Sequence, residues 1–276
     1  MSDVVYSVKH SQKYAKYYSY FYHDYLKKMV ECNLDIDTDN PILLVDLGCG
    51  NGIQLENLSK KNKHPNSVFV GVDCNPFMCD MAKSRCEKDS RIVIDNIDVL
   101  EFLRKMQTFD FVNRPFFHVY FCCLGNTVAL VSSSDLREWA VELKRLCKEI
   151  SANSYRFILE YRDGTTYKDW IGDGRIEILN HAEDGRHFCF QVLRPVNKGY
   201  SVDIKLFSIG LPDVNGTVEA IVVEEQESCA YFFDVNEFLR NFMRVGKHDP
   251  EDDSRQSGLG AGGIITFEIN TFEINR

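Results

Sequence analysis

The sequence predicts an α/β protein built on a mostly parallel, seven-stranded sheet, with an antiparallel β insertion before its last helix. Three observations carry this prediction. Strand-like and helix-like runs alternate as far as Tyr161; beyond Arg162 strand-like runs follow one another without a helix; and a capped helical pattern returns at Asp234–Arg244.

The elements follow in chain order. The N-terminal stretch carries five lysines and six tyrosines between Lys9 and Lys28 and reads as an amphipathic helical segment whose tyrosines pack on the domain or cover a site. Ile42–Leu47 is a continuous apolar run, as a strand covered on both faces requires, and Gly52–Lys61 is the helix after it. Ser67–Val72 is the second strand, followed by a helix that Pro76 opens where its missing N–H costs nothing. Arg91–Ile94 and Phe116–Cys123 are the third and fourth strands. Asp135–Ile150 carries a helical stripe of Leu136, Ala140, Leu143, Cys147 and Ile150, with Asp135 expected as cap and Glu138 as its partner. Tyr155–Tyr161 is the fifth strand. Runs at Arg175–Asn180, His187–Leu193, Ser201–Ile209 and Thr217–Glu225 alternate apolar and polar residues, as an antiparallel sheet with one wet face does.

These elements divide the chain into an N-terminal helical lid segment (1–40), a core (41–163), an antiparallel insertion (164–233) and a C-terminal part of the core (234–276). The tail repeats Phe-Glu-Ile-Asn after five residues, an odd offset. The two copies would therefore point to opposite faces of a strand, and one is superfluous.

Composition excludes several classes. The 276 residues hold no uninterrupted apolar run long enough to span a membrane, and the start lacks the apolar segment of a signal peptide, so a cytoplasmic protein is expected. Cys49, Cys74, Cys122, Cys123 and Cys147 fall in segments that read as core or glycine loop, which fits reduced thiols. No CxxC pair or HxxxH occurs, and no metal site is expected. The net charge of −9 argues against a large phosphate-binding surface.

The densest signal is "VDLGCGNGIQLENL", with Asp46 followed by Gly48, Gly50 and Gly52 at every second position. A phosphate-binding P-loop would need Gly-Lys-Ser/Thr, but Ile53 and Gln54 follow Gly52. A dinucleotide loop would need its third glycine at position 53, one residue later than it falls here. A literal GxGxxG at Gly258, Gly260 and Gly263 fails on context, because an acidic loop precedes it and a strand follows.

The acidic residue followed by three alternating glycines resembles the signature of class I S-adenosylmethionine-dependent methyltransferases, which have a Rossmann-like fold. The resemblance implies S-adenosylmethionine as cofactor and S-adenosylhomocysteine as product. It also implies a cofactor site made of Asp46, Gly48, Cys49 and Gly50; of Asp73, Cys74 and Asn75 after the second strand, with Asp73 on the ribose hydroxyls; and of Ile97, Asp98 and Val99 near the adenine. Cys123 and Leu124 follow at the end of the fourth strand.

"CCLGNTVALV" and "ILEYRDGTTY" are similar to the glycine N-methyltransferase family and its glycine/sarcosine relatives. That likeness implies an acceptor site in which Asn126 orients an amine, Arg162 clamps a carboxylate and an N-terminal tyrosine, Tyr6, reaches the methyl group. Glu224 and Glu225 stand where that family carries paired tyrosines, which disfavours plain glycine and favours an acceptor with a second cationic group. The expected partner is therefore a small-molecule amine or amino acid, with nucleic acid and membrane not expected and a homo-oligomer left open. A second reading, an RNA or cap methyltransferase, rests on the lysine and tyrosine N-terminus; the acidic remainder and the absence of NPPY or DPPY after the fourth strand oppose it.

Overall fold

The computed structural model describes residues 34–124, 127–162, 174–181, 187–196, 201–210, 227–231 and 262–269. Five parallel strands, β1 (Ile42–Leu47), β2 (Val68–Asp73), β3 (Ile92–Asn96), β4 (Phe116–Cys123) and β5 (Ala152–Arg162), form one sheet. The antiparallel strand β10 (Gly262–Glu268) closes it, in the order β10-β5-β4-β1-β2-β3. The described sheet thus has six strands. The third glycine of the literal GxGxxG, Gly263, lies in β10 opposite Tyr161, in strand conformation.

β1 is buried along its whole length, and its side chains alternate between two cores. Leu43, Val45 and Leu47 face the side covered by α3 (Val99–Lys105) and α4 (Ser133–Glu149), with Phe102, Phe121, Trp139 and Leu143. Ile42 and Leu44 face α1 (Ile53–Lys61), with Leu55, Leu58, Phe69 and Tyr120. α2 (Pro76–Cys86) packs beside α1 over β2 and β3. Helices on both faces explain why this strand reads as a continuous apolar run rather than an alternating one.

Several boundaries differ from the sequence expectation. α4 starts two residues earlier than expected, and its cap is Ser132, whose Oγ accepts the Asp135 N–H at 3.2 Å and donates to Asp135 Oδ2 at 2.8 Å. Asp135 is thus the partner of the cap rather than the cap. Residues 34–40, grouped by sequence with the helical lid segment, are irregular. Leu34 and Ile36 are buried in the second core, and Asn62 Nδ2 donates to the carbonyls of Ile36, Thr38 and Asn40. The core therefore recruits this segment ahead of Pro41.

A separate antiparallel sheet runs β6 (Arg175–His181), β7 (His187–Val196), β8 (Ser201–Gly210) and β9 (Glu227–Tyr231). The first three match the expected runs, while Thr217–Glu225 and the helix at Asp234–Arg244 lie outside the described residues, as does the second Phe-Glu-Ile-Asn copy. Ile269 of the first copy is fully buried in the core. Among the described residues no helix is long and apolar enough to cross a membrane.

Candidate functional site

In the strand order, chain direction across the sheet reverses between β1 and β4, and ligands of open α/β sheets bind outside the carboxyl ends of such strands. The glycine loop leaves β1 at that point. Gly48, Gly50 and Gly52 have φ of 87°, 52° and 74°, the left-handed region, which explains why the sequence spends three glycines here. The N–H groups of Gly48 and Cys49 both donate to Val72 O, at 2.8 and 2.9 Å, tying the loop to β2. Arg85 Nε holds Asn51 O at 3.1 Å from α2, a contact between segments that no sequence motif announces.

The surroundings of the glycines differ. A Cβ on Gly52 would lie 2.9 Å from Ala82 Cβ, and one on Gly48 would lie 2.4 Å from Thr127 Cγ2. A Cβ on Gly50 would meet nothing within 4 Å. Gly48 and Gly52 are therefore glycines because protein crowds them, whereas Gly50 borders open space that a ligand can enter.

Asp73 ends β2 and joins the loop to the next turn. Its Oδ2 accepts the Gly50 N–H at 2.9 Å and its Oδ1 the Asn75 N–H at 2.8 Å. Each oxygen keeps further lone-pair capacity, so the carboxylate can also accept two ligand hydroxyls. Burial pushes its pKa up, against the pull of these two backbone bonds. Asn75 caps α2, its Oδ1 accepting the Phe77 and Met78 N–H groups, so its side chain is committed to the helix. Asp98 caps α3 in the same manner, and both bonds end on Oδ1. Cys74 is exposed as a residue, but its sulfur is partly shielded from solvent; that shielding first, and then the charges of Asp73 and Asp98, push its thiol pKa up.

Asp46 is only 3% exposed. Burial, and secondarily the charge of Asp73, push its pKa up to about 7. Asp46 stands in register with Cys122 of β4, and burial first, then the Asp46 charge, raises the thiols of Cys49, Cys122 and Cys123. A buried acid of this kind suits a cation as its partner.

The sign of its effect on stability follows. An acid whose pKa is raised by folding binds more protons folded than unfolded, so stability falls as pH rises from about 4 until the folded group ionises near pH 7. Asp46→Asn is expected to gain thermal stability over the ligand-free wild type across that window. The two melting curves should converge below pH 4, and an offset independent of pH would refute the shifted acid.

Asp46, Gly48, Cys49, Gly50, Asp73, Cys74, Asn75, Ile97 and Asp98 thus gather around one rim, with Ile97 N bonded to Asp73 O at 3.2 Å. Val99, Cys123 and Leu124 lie near the same strand ends, with their side chains buried in the two cores. Arg162 is the last residue of β5, opposite Gly262, and its side chain lies outside the described residues. Tyr6, Asn126, Glu224 and Glu225 also lie outside them. Thr127 was not expected in the site; its only sequence signal is its place after Asn126.

No curated protein matches the chain. Among solved structures, an S-adenosylmethionine-dependent methyltransferase from Clostridium acetobutylicum ATCC 824 superposes with a TM-score of 0.52 at 15% identity, over 94% of this chain and 91% of that one. The sugar N-methyltransferase KedS8 from Streptoalloteichus sp ATCC 53650 gives 0.53 at 16%, over 91% of each. The CcbJ methyltransferase from Streptomyces caelestis gives 0.52 at 9%, over 94% and 88%. At such identities the likeness is one of fold. Residues 44–149, which contain the glycine loop and the Asp73 junction, match the methyltransferase domain family. A fold of this kind, a loop open at Gly50 and a buried acid suited to a sulfonium-bearing amino acid agree with that match: residues 44–149 carry an S-adenosylmethionine-dependent methyltransferase domain, with S-adenosylmethionine as cofactor and S-adenosylhomocysteine as product.

Proposed function

We propose that the protein is an N-methyltransferase for a small amine or amino acid of the glycine/sarcosine type. The observation that carries this reading is that β9 of the antiparallel sheet lies against the 3-10 turn Thr127–Leu130 at the end of β4, beside the glycine loop. A sheet over the acceptor side favours a small enclosed substrate over a polynucleotide. The net charge of −9 favours the same side.

S-adenosylmethionine supplies a methyl group already activated on a sulfonium, so the protein's work is positioning and exclusion of water. In this reading Asp73 accepts the ribose hydroxyls, the Oδ2 of Asp98 and the flanking Ile97 and Val99 backbone meet the adenine, and Cys74 and Asn75 shape the turn between them. Gly48, Cys49 and Gly50 let the backbone approach, while Asp46 gives up its proton and faces the ammonium end. Cys123 and Leu124 form the floor between donor and acceptor. Asn126 orients the acceptor amine, Arg162 grips its carboxylate through a planar fork, and Tyr6 closes from the N-terminal segment. The position of Arg162, at the carboxyl end of β5 next to β4, supports its share of this assignment.

The test is methyl transfer from S-adenosylmethionine to glycine, sarcosine, other amino acids, polyamines and short capped RNAs. Methylated amines are expected, and transfer to RNA alone would replace this reading with the second one. With a carboxylate acceptor, Arg162→Lys is expected to raise KM about tenfold or more, because a point charge cannot reproduce the paired N–H geometry. An unchanged KM removes Arg162 from the acceptor site.

A further inference from the structure

The contact between Thr127 and Gly48 joins parts of the site that are far apart in sequence. Thr127 opens the turn after β4, and Gly48 opens the loop after β1. A Cβ on Gly48 would fall 2.4 Å from Thr127 Cγ2, 2.7 Å from its Oγ1 and 3.0 Å from its Cβ, so the side chain occupies the space that the glycine leaves. The Oγ1 donates to Leu124 O at 2.8 Å, with Gly48 O at 3.5 Å as its alternative acceptor. One hydroxyl hydrogen serves one of them at a time. The same turn lies against β5 and β9, the elements on the acceptor side.

We propose that Thr127 is a positioning residue: its side chain, wedged against Gly48, registers the acceptor-side turn to the cofactor loop. Packed interiors transmit small displacements because they have no slack to absorb them. When a ligand settles the glycine loop, Thr127 carries that order into the turn Thr127–Leu130. The inference rests on the methyltransferase site and holds for any acceptor.

Amide hydrogen exchange with S-adenosylhomocysteine as probe tests it without an acceptor. In the wild type, saturating S-adenosylhomocysteine is expected to slow exchange both in residues 47–52 and in residues 127–131, each by about tenfold. In Thr127→Gly, at saturation confirmed by calorimetry, the loop keeps its protection and the turn loses it. Thr127→Val, which preserves the packing and forfeits the hydroxyl, keeps the protection in both segments and serves as the folded control should Thr127→Gly unfold. The proposal is overturned if the wild-type turn gains no protection, if Thr127→Gly retains it, or if Thr127→Val loses it.

Discussion

Asp73→Ala is expected to lower affinity for both S-adenosylmethionine and S-adenosylhomocysteine by about a hundredfold to ten-thousandfold while the protein stays folded. The carboxylate holds Gly50 N–H and Asn75 N–H, one on each oxygen, so it sets the distance between the glycine loop and the turn into α2. In the proposed site its remaining lone pairs accept the ribose hydroxyls. Removing a charged acceptor forfeits about 1.5–3 kcal/mol per hydrogen bond, and two ribose bonds at that rate give the stated range. The stability cost is smaller, because the carboxylate is raised in pKa by burial and so is not at ease in the folded protein. Asp73→Asn separates the two roles, since an amide keeps one acceptor and turns an N–H2 toward a backbone donor. Calorimetry with both ligands, beside thermal denaturation, reads the effect. A loss of less than threefold in Asp73→Ala would mean that the ribose is held elsewhere.

The second large effect divides the three glycines. Gly50→Ala is expected to weaken cofactor binding by about a hundredfold or more with a stability loss of only about 1–2 kcal/mol, the cost of a left-handed residue with a side chain. Its new methyl group meets no protein atom within 4 Å and enters the space the ligand uses. Gly48→Ala and Gly52→Ala carry the same backbone cost and a clash besides, with Thr127 Cγ2 at 2.4 Å and with Ala82 Cβ at 2.9 Å. They are expected to lose roughly 2–5 kcal/mol of stability, the sum of backbone strain and overpacking. Stability and affinity should therefore rank the variants in opposite orders, with Gly50→Ala showing both the highest denaturation midpoint and the largest dissociation constant of the three. Equal losses in all three would contradict the open space at Gly50.

What the sequence made legible follows from where the information is local. β1 was readable because a strand covered on both faces is a near-continuous apolar run, and β4, apolar but for His118, was placed at Phe116–Cys123 to the residue. The helix cap at α4 was misread because Ser132, Ser133, Ser134 and Asp135 are all capable caps, and only the packing of the helix decides among them. Asp46, Asp73 and Asp98 could be nominated because each stands at or just after the end of a strand, where the family resemblance implies a site residue. That Asp98 and Asn75 cap helices, and that Asp46 is a weakened acid, emerges only once the turns and the burial are known. Thr127 was invisible for a different reason: its partner Gly48 is 79 residues away, and no local pattern encodes such a contact.

The cysteines along this rim have a chemical consequence. Cys49 and Cys123 are held well above the usual thiol range, first by burial and then by the Asp46 charge, and Cys74 is raised by burial together with Asp73 and Asp98. Sulfur attacks as thiolate, not as thiol, and at neutral pH these groups carry almost no thiolate. An enzyme that stores an alkylating agent beside its own sulfur atoms risks modifying itself. Here burial first, and the neighbouring acids second, keep these thiols protonated, so selectivity for the acceptor begins with the disarming of the nearest competing nucleophiles.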